Sequence, residues 1–167
     1  SMLDVTATIL DIAGAKLPDY LDGHPLFGPR AGKRQHIFAA RDLIDEVMDH
    51  IRCVRTRRYK YIRNYNPENG YRECKYVQNH RPMLAVIKKL HKQGKLTEAQ
   101  QLILKKTKPQ EELYDLKNDP YELENLAQSP DCQDILNELR ELLDQWIKDT
   151  DDKGLAMMEN SEKPEAF

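Results

Sequence analysis

The fold is decided by the stretch Glu112-Leu-Tyr-Asp-Leu-Lys-Asn-Asp-Pro-Tyr-Glu-Leu-Glu-Asn-Leu-Ala127 and by the helical pattern that follows it. Residues 112–116 are typical of a short strand, which Asn118-Asp-Pro120 would end. Ser129 and Pro130 then match the N-cap and the first position of a helix. An apolar stripe follows at helical spacing, formed by Ile135, Leu136, Leu139, Leu142, Leu143, Trp146 and Ile147. We therefore expect a long C-terminal helix that packs on a sheet.

Three further strands are indicated upstream of this stretch. Residues 36–40 have the composition of a strand, and residues 51–56 and 59–65 are two more strands separated by a tight turn near Arg57. In the last of them the odd-numbered residues are mostly tyrosines, which would share one face. The sequence thus predicts an α+β fold, in which a small antiparallel sheet of about four strands packs against the long C-terminal helix.

The start of the chain has the pattern of a short apolar helix. Ser1 and Asp4 match a capping box, and Gly14 fits the left-handed position at a helix C-terminus. Residues 17–33 contain too many Pro and Gly residues for a regular element. We expect a helix from residue 1 or 2, followed by a surface connection.

Helical spacing returns in residues 81–106. One apolar stripe is formed by Met83, Ile87 and Leu90. Thr97 and Gln100 match a second capping box, ahead of a short apolar run. Two short helices joined at Gly94 fit this segment best.

The composition of the 167 residues, 40% apolar and 32% charged, fits one globular domain or part of a larger one. No run approaches the ~18 consecutive apolar residues of a membrane-spanning helix, so no membrane association is expected. The three cysteines, Cys53, Cys74 and Cys132, are widely spaced and contain no C-x-x-C pair. We interpret them as free thiols or incidental core residues, and not as a disulfide or zinc framework.

Charge is distributed unevenly along the chain, although its net value is −2. Residues 30–108 contain 20 basic and 7 acidic residues, and residues 109–167 contain 5 basic and 17 acidic ones. The densest basic cluster is interleaved with tyrosines and consists of Arg52, Arg55, Arg57, Arg58, Lys60 and Arg63. Such a cluster can bind single-stranded nucleic acid, an anionic sugar or the acidic half of the chain itself. We favour pairing within the chain and do not expect nucleic-acid binding.

Most motifs that carry chemistry are missing from the sequence. It has no G-x-G-x-x-G, phosphate loop, G-x-S-x-G, H-E-x-x-H or paired-cysteine metal site, and its five histidines are scattered. The densest group of ionisable side chains lies between two predicted strands, in the loop of residues 41–50. Such a loop lines a binding site in many proteins, and it is a solvated connection in others.

Several segments resemble the closing part of a sulfatase. The first fourteen residues are similar to the sulfatase segment S-x-x-D-[LIV]-x-P-T-[LIV]-L-D-L-A-G, with Ala7 in place of the proline. Residues 37–42, 52–56 and 59–62 follow in the order seen in that family, and residues 112–127 resemble its signature ELYDL-x-x-DP-x-E-x-x-NLA. The likeness covers about residues 1 to 150, and it is greatest to the N-sulfoglucosamine sulfohydrolase (heparan sulfamidase) branch.

The resemblance implies the C-terminal region of a type I, alkaline-phosphatase-like sulfatase. Such enzymes use a formylglycine, made from the first residue of C/S-x-P-x-R, beside a calcium ion. Here Cys53 begins Cys-Val-Arg-Thr-Arg57, with Arg55 where proline is required, and the other two cysteines fit no better. We therefore expect no catalytic residue and no metal ligand in this chain. The parent would be a hydrolase of sulfate esters or sulfamates of a saccharide, and the chain alone would be inactive.

The resemblance also implies a division of labour along the chain. Residues 1–35 would end the large domain, residues 36–150 would form the C-terminal subdomain, and residues 151–167 would be a polar tail that frays. In the family this subdomain closes one side of the substrate cleft, which makes its loop residues the implied substrate-binding set: Arg41, Asp42, Asp45, Glu46 and His50. The implied compartment is periplasmic or extracellular, in a bacterium.

The partners implied are a sulfated saccharide such as a glycosaminoglycan, the missing N-terminal catalytic domain, and a second copy through the apolar first helix. Two alternatives stay open at this stage. The chain can be a non-catalytic binding module whose basic face takes a polyanion, or the C-terminus of a related phosphate or phosphonate ester hydrolase.

Overall fold

The computed structural model describes residues 1–44, 46–71 and 82–154. Its strands are β1 (Ile37–Ile44), β2 (Val47–Arg55), β3 (Tyr59–Asn64) and β4 (Glu111–Asp115). Its α-helices are α1 (Met2–Ile12), α2 (Pro82–Lys92), α3 (Glu98–Gln101) and α4 (Gln133–Asp149). The chain divides into two compact units, residues 1–37 and 38–167. The assignment of separate roles to parts of the chain stays a prediction.

The four strands form one sheet in the order β1-β2-β3-β4. Antiparallel pairing places Val54 of β2 opposite Tyr61 of β3, and Tyr61 opposite Leu113 of β4. The turn between β2 and β3 is closed by the Thr56 amide, which donates to the Tyr59 carbonyl at 2.8 Å. The predicted α+β fold, a four-stranded antiparallel sheet with a long C-terminal helix, is confirmed.

One face of the sheet packs on α4 and forms the core. Its centre consists of six fully buried side chains, Val54, Tyr61, Leu113, Leu136, Leu139 and Leu143. At the edge of this cluster Phe38 of β1 stacks on Trp146 of α4, with ring centroids 5.0 Å apart. Burying each large apolar side chain contributes about 1.5–3 kcal/mol, so the apolar stripe of α4 holds the helix on the sheet.

The first strand is longer than the sequence indicates. Residues 41–50 are predicted as a loop, whereas β1 continues to Ile44 and β2 begins at Val47. That prediction is wrong because Arg41 and Asp42 each have an oppositely charged or polar partner on their own face of the sheet. Two charged neighbours are thereby accommodated within a strand.

The start of the C-terminal helix also differs from the prediction. Pro130–Cys132 forms a 3₁₀ turn, the α-helix begins only at Gln133, and the Ser129 hydroxyl makes no capping hydrogen bond. The side-chain amide of Gln133 instead donates to the carbonyls of Ala127 and Ser129, at 3.2 and 2.7 Å. Ser129 and Pro130 thus hold their predicted positions at the start of the 3₁₀ turn, and the Gln133 bonds tie the first residue of the α-helix to the segment before it.

Two short helices occupy the second helical segment, as predicted. The break between α2 and α3 contains Gly94, whose φ of +66° is the left-handed conformation that favours glycine. Thr97 and Gln100 form the predicted capping box at the start of α3. The expected pair of helices is thus confirmed within residues 82–101.

The first unit is organised around a buried carboxylate on α1, whose predicted capping box is present. Asp4 accepts hydrogen bonds from Arg34 Nε and Nη2, at 3.0 and 2.7 Å, and from the His24 amide at 3.0 Å. The Arg34 guanidinium holds the pKa of Asp4 well below its ordinary value. A Cβ on Gly23 would lie 2.1 Å from the Leu3 carbonyl oxygen, so the connection passes close to the helix only because residue 23 is glycine.

Much of the apolar surface of α1 is exposed. Met2, Ile9 and Ile12 are 81%, 61% and 70% accessible. Self-association through this surface stays a prediction. No helix within the described ranges is both long and apolar enough to cross a membrane.

Candidate functional site

Alternation along β1 and β2 sends the predicted binding residues to opposite faces of the sheet. Arg41 meets Asp49 on the face turned away from α4, here called the cavity face. Asp42 meets His50 and Arg52 on the face that packs against α4, here called the helix face. The structure therefore does not bring the predicted set together in one site.

On the cavity face, two cations share one buried carboxylate. Lys108 Nζ lies 2.5 and 2.7 Å from the two oxygens of Asp49, and Arg41 Nη2 donates to the same carboxylate. The side chains of Lys108 and Asp49 are 1% and 4% exposed, whereas that of Arg41 is 40% exposed. The cluster keeps one positive charge in excess, and Arg41 is the member that solvent reaches.

On the helix face, the fully buried Arg52 organises a second cluster. Its Nη2 lies 2.7 Å from Asp42 Oδ1, and its other nitrogens bond Asp152 and two backbone carbonyls. His50 Nδ1 lies 2.9 Å from the same Asp42 oxygen. The buried His50 Nε2 has no hydrogen-bond partner in the part of the chain that the structure describes. This cluster fastens β1 and β2 to the residues after α4.

The remaining two predicted residues lie at the turn between β1 and β2. Glu46 is exposed there. Asp45 lies outside the described residues, so its role stays a prediction. Of the four predicted residues that the structure describes, Arg41 lines the cavity on the cavity face of the sheet.

That cavity, of about 530 Å³, lies on the cavity face of the sheet. Its walls come from all four strands, from α3 with the 3₁₀ turn after it, and from the loop after β4. Its lining includes the charged or polar residues Arg41, Asn64, Lys108 and Glu112, together with Tyr121 and Leu123. Sequence reasoning did not identify three of these lining residues, namely Asn64, Lys108 and Glu112. The signal that could have indicated Asn64 is that it is a polar residue of β3 on the face opposite the tyrosines.

At the β4 end of the cavity a buried carboxylate is surrounded by donors. Glu112 accepts from the Asn64 amide nitrogen at 2.6 Å and from the Tyr114 hydroxyl. Burial, together with Glu112, raises the pKa of Tyr114 above its ordinary value and that of Tyr71 to about 12. Both phenols therefore stay protonated and act as hydrogen-bond donors at neutral pH.

The predicted basic cluster pairs largely with acidic residues of the second half of the chain. Arg58 Nη2 lies 2.8 Å from Asp115, and Arg63 Nη1 lies 2.5 Å from Asp144 on α4. Tyr61 between them is buried in the core. The intramolecular pairing expected from the charge distribution is present.

The cysteine that begins the partial nucleophile pattern sits in an unsuitable environment. Burial raises the pKa of Cys53 to about 11, so that its thiol is protonated at neutral pH. Arg55 at the third position of the pattern is an exposed strand residue. Cys74 lies outside the described residues. Because Arg55 stands where the pattern requires proline, Cys53 does not match a formylglycine precursor.

The resemblance implies a calcium ion in the whole enzyme, and the donor groups of this chain decide whether the ion fits here. Calcium takes six to eight oxygen ligands, several of them carboxylates. Within residues 1–44, 46–71 and 82–154, no group of three or more His, Cys, Asp or Glu side chains is arranged to hold a metal ion. The described residues therefore do not fit a calcium ion.

Sequence comparison finds two curated relatives, both named ulvan-active sulfatases of Formosa agariphila. One is 43% identical over 148 residues, which cover 88% of this chain and 25% of that protein. The other is 30% identical over 152 residues, which cover 87% of this chain and 28% of that protein. The chain thus spans about a quarter of the length of these relatives. No protein-family model matches it.

Solved structures with the same fold include a protein of Bacteroides thetaiotaomicron VPI-5482 assigned as a sulfatase, with a TM-score of 0.59 over 92% of this chain and 25% of that one. A 2-O glycosaminoglycan sulfatase gives a TM-score of 0.61, over 92% of this chain and 26% of that one. Both are 25% identical to this chain. A third, solved with D-glucosamine-2-N,6-O-disulfate, is 19% identical with a TM-score of 0.53, over 87% of this chain and 23% of that one, and shares the fold.

Proposed function

Because the chain belongs to the sulfatases and corresponds to a C-terminal part of them, we propose that the whole protein hydrolyses sulfate esters or sulfamates of a saccharide. The observation that carries this proposal is the 43% identity to a sulfatase over 88% of the chain. The aligned part spans a quarter of that sulfatase, so the identity supports membership of the family, and the reaction class of the whole protein is inferred from that membership.

The part of this chain in that reaction is to bind and orient the saccharide. Hydrolysis of a sulfate ester needs a nucleophile and positive charge near the sulfuryl oxygens. The described residues fit neither a formylglycine at Cys53 nor a calcium site. Both groups would be supplied by the rest of the protein. The cavity face, with Arg41 on its wall, is the surface of this chain best suited to form one side of a substrate cleft.

The substrate class follows from the same relatives. Two of them are named for activity on ulvan, and a structural relative is a glycosaminoglycan sulfatase. We assign a sulfated polysaccharide, or oligosaccharides derived from one, as the substrate. The finer likeness to the N-sulfoglucosamine sulfohydrolase branch stays a prediction, as does the choice between O-sulfate and N-sulfate.

The experiment is to purify the whole protein encoded with this chain and measure sulfate release from ulvan oligosaccharides and from a glycosaminoglycan. We expect release from at least one substrate, and none from the 167-residue chain alone. Release of phosphate from phosphate esters, without release of sulfate, would overturn the proposal in favour of a phosphate ester hydrolase. Sulfate release by the chain alone would overturn the assignment of a purely binding role.

A further inference from the structure

We propose that the cavity on the sheet binds an acidic sugar residue of the substrate, with Arg41 as the group that recognises its carboxylate or a sulfate that does not react. The inference rests on the proposed sulfatase function and names the class of saccharide that the site accepts. The observation that supports it is that an apolar cavity lies beside the partly exposed Arg41 guanidinium. This guanidinium belongs to a cluster with one surplus positive charge.

The cavity has the size and the walls of a small-ligand site. Its volume of about 530 Å³ falls within the ~300–1,000 Å³ typical of such pockets. Ile51 and Ile62 line it from the sheet, and Tyr121 and Leu123 line it while remaining 82% and 50% exposed. Large apolar side chains left exposed at a cavity mark a binding surface. A tyrosine there offers both a ring face and a hydroxyl group to a sugar.

The charge at one end of the cavity selects an anion. Arg41 and Lys108 share the single carboxylate of Asp49, so one positive charge is not neutralised within the cluster. The Lys108 side chain is only 1% exposed, whereas the Arg41 side chain is 40% exposed, so Arg41 is the cation of this cluster that is open to a ligand. The buried Arg41 Nε has no partner among the described residues. A guanidinium matches the paired oxygens of a carboxylate or sulfate, so Arg41 is the anion-recognising group.

The opposite end of the cavity carries the opposite charge, which orients the ligand. β1, with Arg41, and β4, with Glu112, are the two edge strands of the sheet. Strands lie ~4.8 Å apart, so these two edges are separated by roughly 14 Å. Glu112 repels an acidic group, and the exposed Tyr121 lines the same cavity. The acidic substituent is therefore directed to the Arg41 end and uncharged sugar surface toward Glu112.

The test measures binding of three oligosaccharide probes to the whole protein by titration calorimetry. The first probe keeps its uronate carboxylates and has no sulfates, the second is sulfated with its carboxyl groups reduced, and the third has neither. Arg41→Met is compared with the control Arg57→Met, which removes the same charge from an exposed turn. Binding needs no turnover, so its failure is distinguishable from a failure to release sulfate.

We expect the unaltered protein and Arg57→Met to bind at least one acidic probe about tenfold more tightly than the neutral probe, the factor typical of one charge-assisted hydrogen bond. In Arg41→Met that preference should be about tenfold weaker than in Arg57→Met, while binding of the neutral probe persists. The identity of the preferred probe assigns the anion as carboxylate or sulfate. Equal binding of all three probes by the unaltered protein would overturn the proposal even if Arg41→Met did not fold, as would an acidic preference in Arg41→Met that equals that of Arg57→Met.

Discussion

Arg52 on β2 and Asp152, one hundred residues later in the chain, form a two-bond ion pair, with Nε–Oδ2 at 2.5 Å and Nη2–Oδ1 at 2.8 Å. The Arg52 side chain is fully buried, and its Nη2 also lies 2.7 Å from Asp42. A Cβ on Gly154 would lie 2.3 Å from an Asp42 carboxylate oxygen, so the chain after α4 passes close to this cluster. The pair joins the end of the terminal helix to the centre of the sheet.

Removing this guanidinium should destabilise the chain. Arg52→Met leaves Asp42 and Asp152 charged without their partner, and breaking a buried ion pair on one side costs about 3–5 kcal/mol. We expect a loss near the lower bound, because the Asp42 side chain is 44% exposed. The measurement is urea unfolding of the 167-residue chain, followed by the fluorescence of its single tryptophan, Trp146. The exposed control Arg57→Met should change the free energy of unfolding by less than about 0.5 kcal/mol, and equal losses in the two variants would contradict the assignment.

Truncating the centre of the helix stripe tests the core. Leu139 is fully buried against the sheet residues Val54 and Leu113 within one apolar cluster. Leu139→Ala should lower the free energy of unfolding by about 2–5 kcal/mol, because it removes buried methyl groups and leaves a cavity. Met83→Ala on α2 is the matched control, since that side chain is 70% exposed and should contribute little. If Leu139→Ala and Met83→Ala had the same urea midpoint, the apolar stripe would not be what holds α4 on the sheet.

Acid should weaken the first unit through Asp4. The pKa of Asp4 is lowered from its ordinary value of 3.8, chiefly by its hydrogen bonds with Arg34. A carboxyl group whose pKa is lower in the folded state stabilises the fold above its unfolded pKa. That contribution is lost as the pH falls below about 4 toward the lower folded value.

The direct measurement is a carbon-13 NMR titration of the Asp4 side chain. Arg34→Met should raise the midpoint toward the ordinary value, because the largest cause of the shift is removed. Arg30→Met removes a guanidinium that pairs with Asp11 in the same unit, and it should leave the Asp4 midpoint unchanged. An Asp4 that titrates at its ordinary value in the unaltered chain would rule out the ion pair as the organising contact.

The parts of the fold that were predicted from the sequence depend on local patterns. The period-two alternation of β3 and the helical stripe of α4 each identify an element and its buried face from neighbouring residues alone. The end of β1 depends instead on distant partners. Arg41 and Asp42 are accommodated in a strand because Asp49 and the buried Arg52 neutralise them on opposite faces. No local pattern reports such pairings.

The candidate site was harder to predict for the same reason. A cluster of ionisable residues in the sequence looks like one site, but alternation in β1 and β2 separates Arg41 from Asp42 and His50. The buried partner of Asp49 is Lys108, 59 residues later. The Lys108 amide donates to the Pro67 carbonyl at 2.8 Å, so the segment before β4 is held beside the residues that follow β3. The register of the sheet therefore decides which members of a charged segment share a cavity.

The remaining prediction concerns the thiol of Cys53. Burial raises the pKa of this group to about 11, so little thiolate is present at neutral or mildly alkaline pH. Because the thiolate is the reactive species, iodoacetamide at about pH 8 should modify Cys53 far more slowly in the folded chain than in urea, and the rate should rise steeply as the pH approaches 11. Peptide mass spectrometry measures the labelling and also reports the state of the residue. Labelling that is equally fast in the folded and unfolded chain would show that the Cys53 thiol is not protected by burial. A mass at this position that corresponds to an aldehyde would identify Cys53 as a formylglycine precursor.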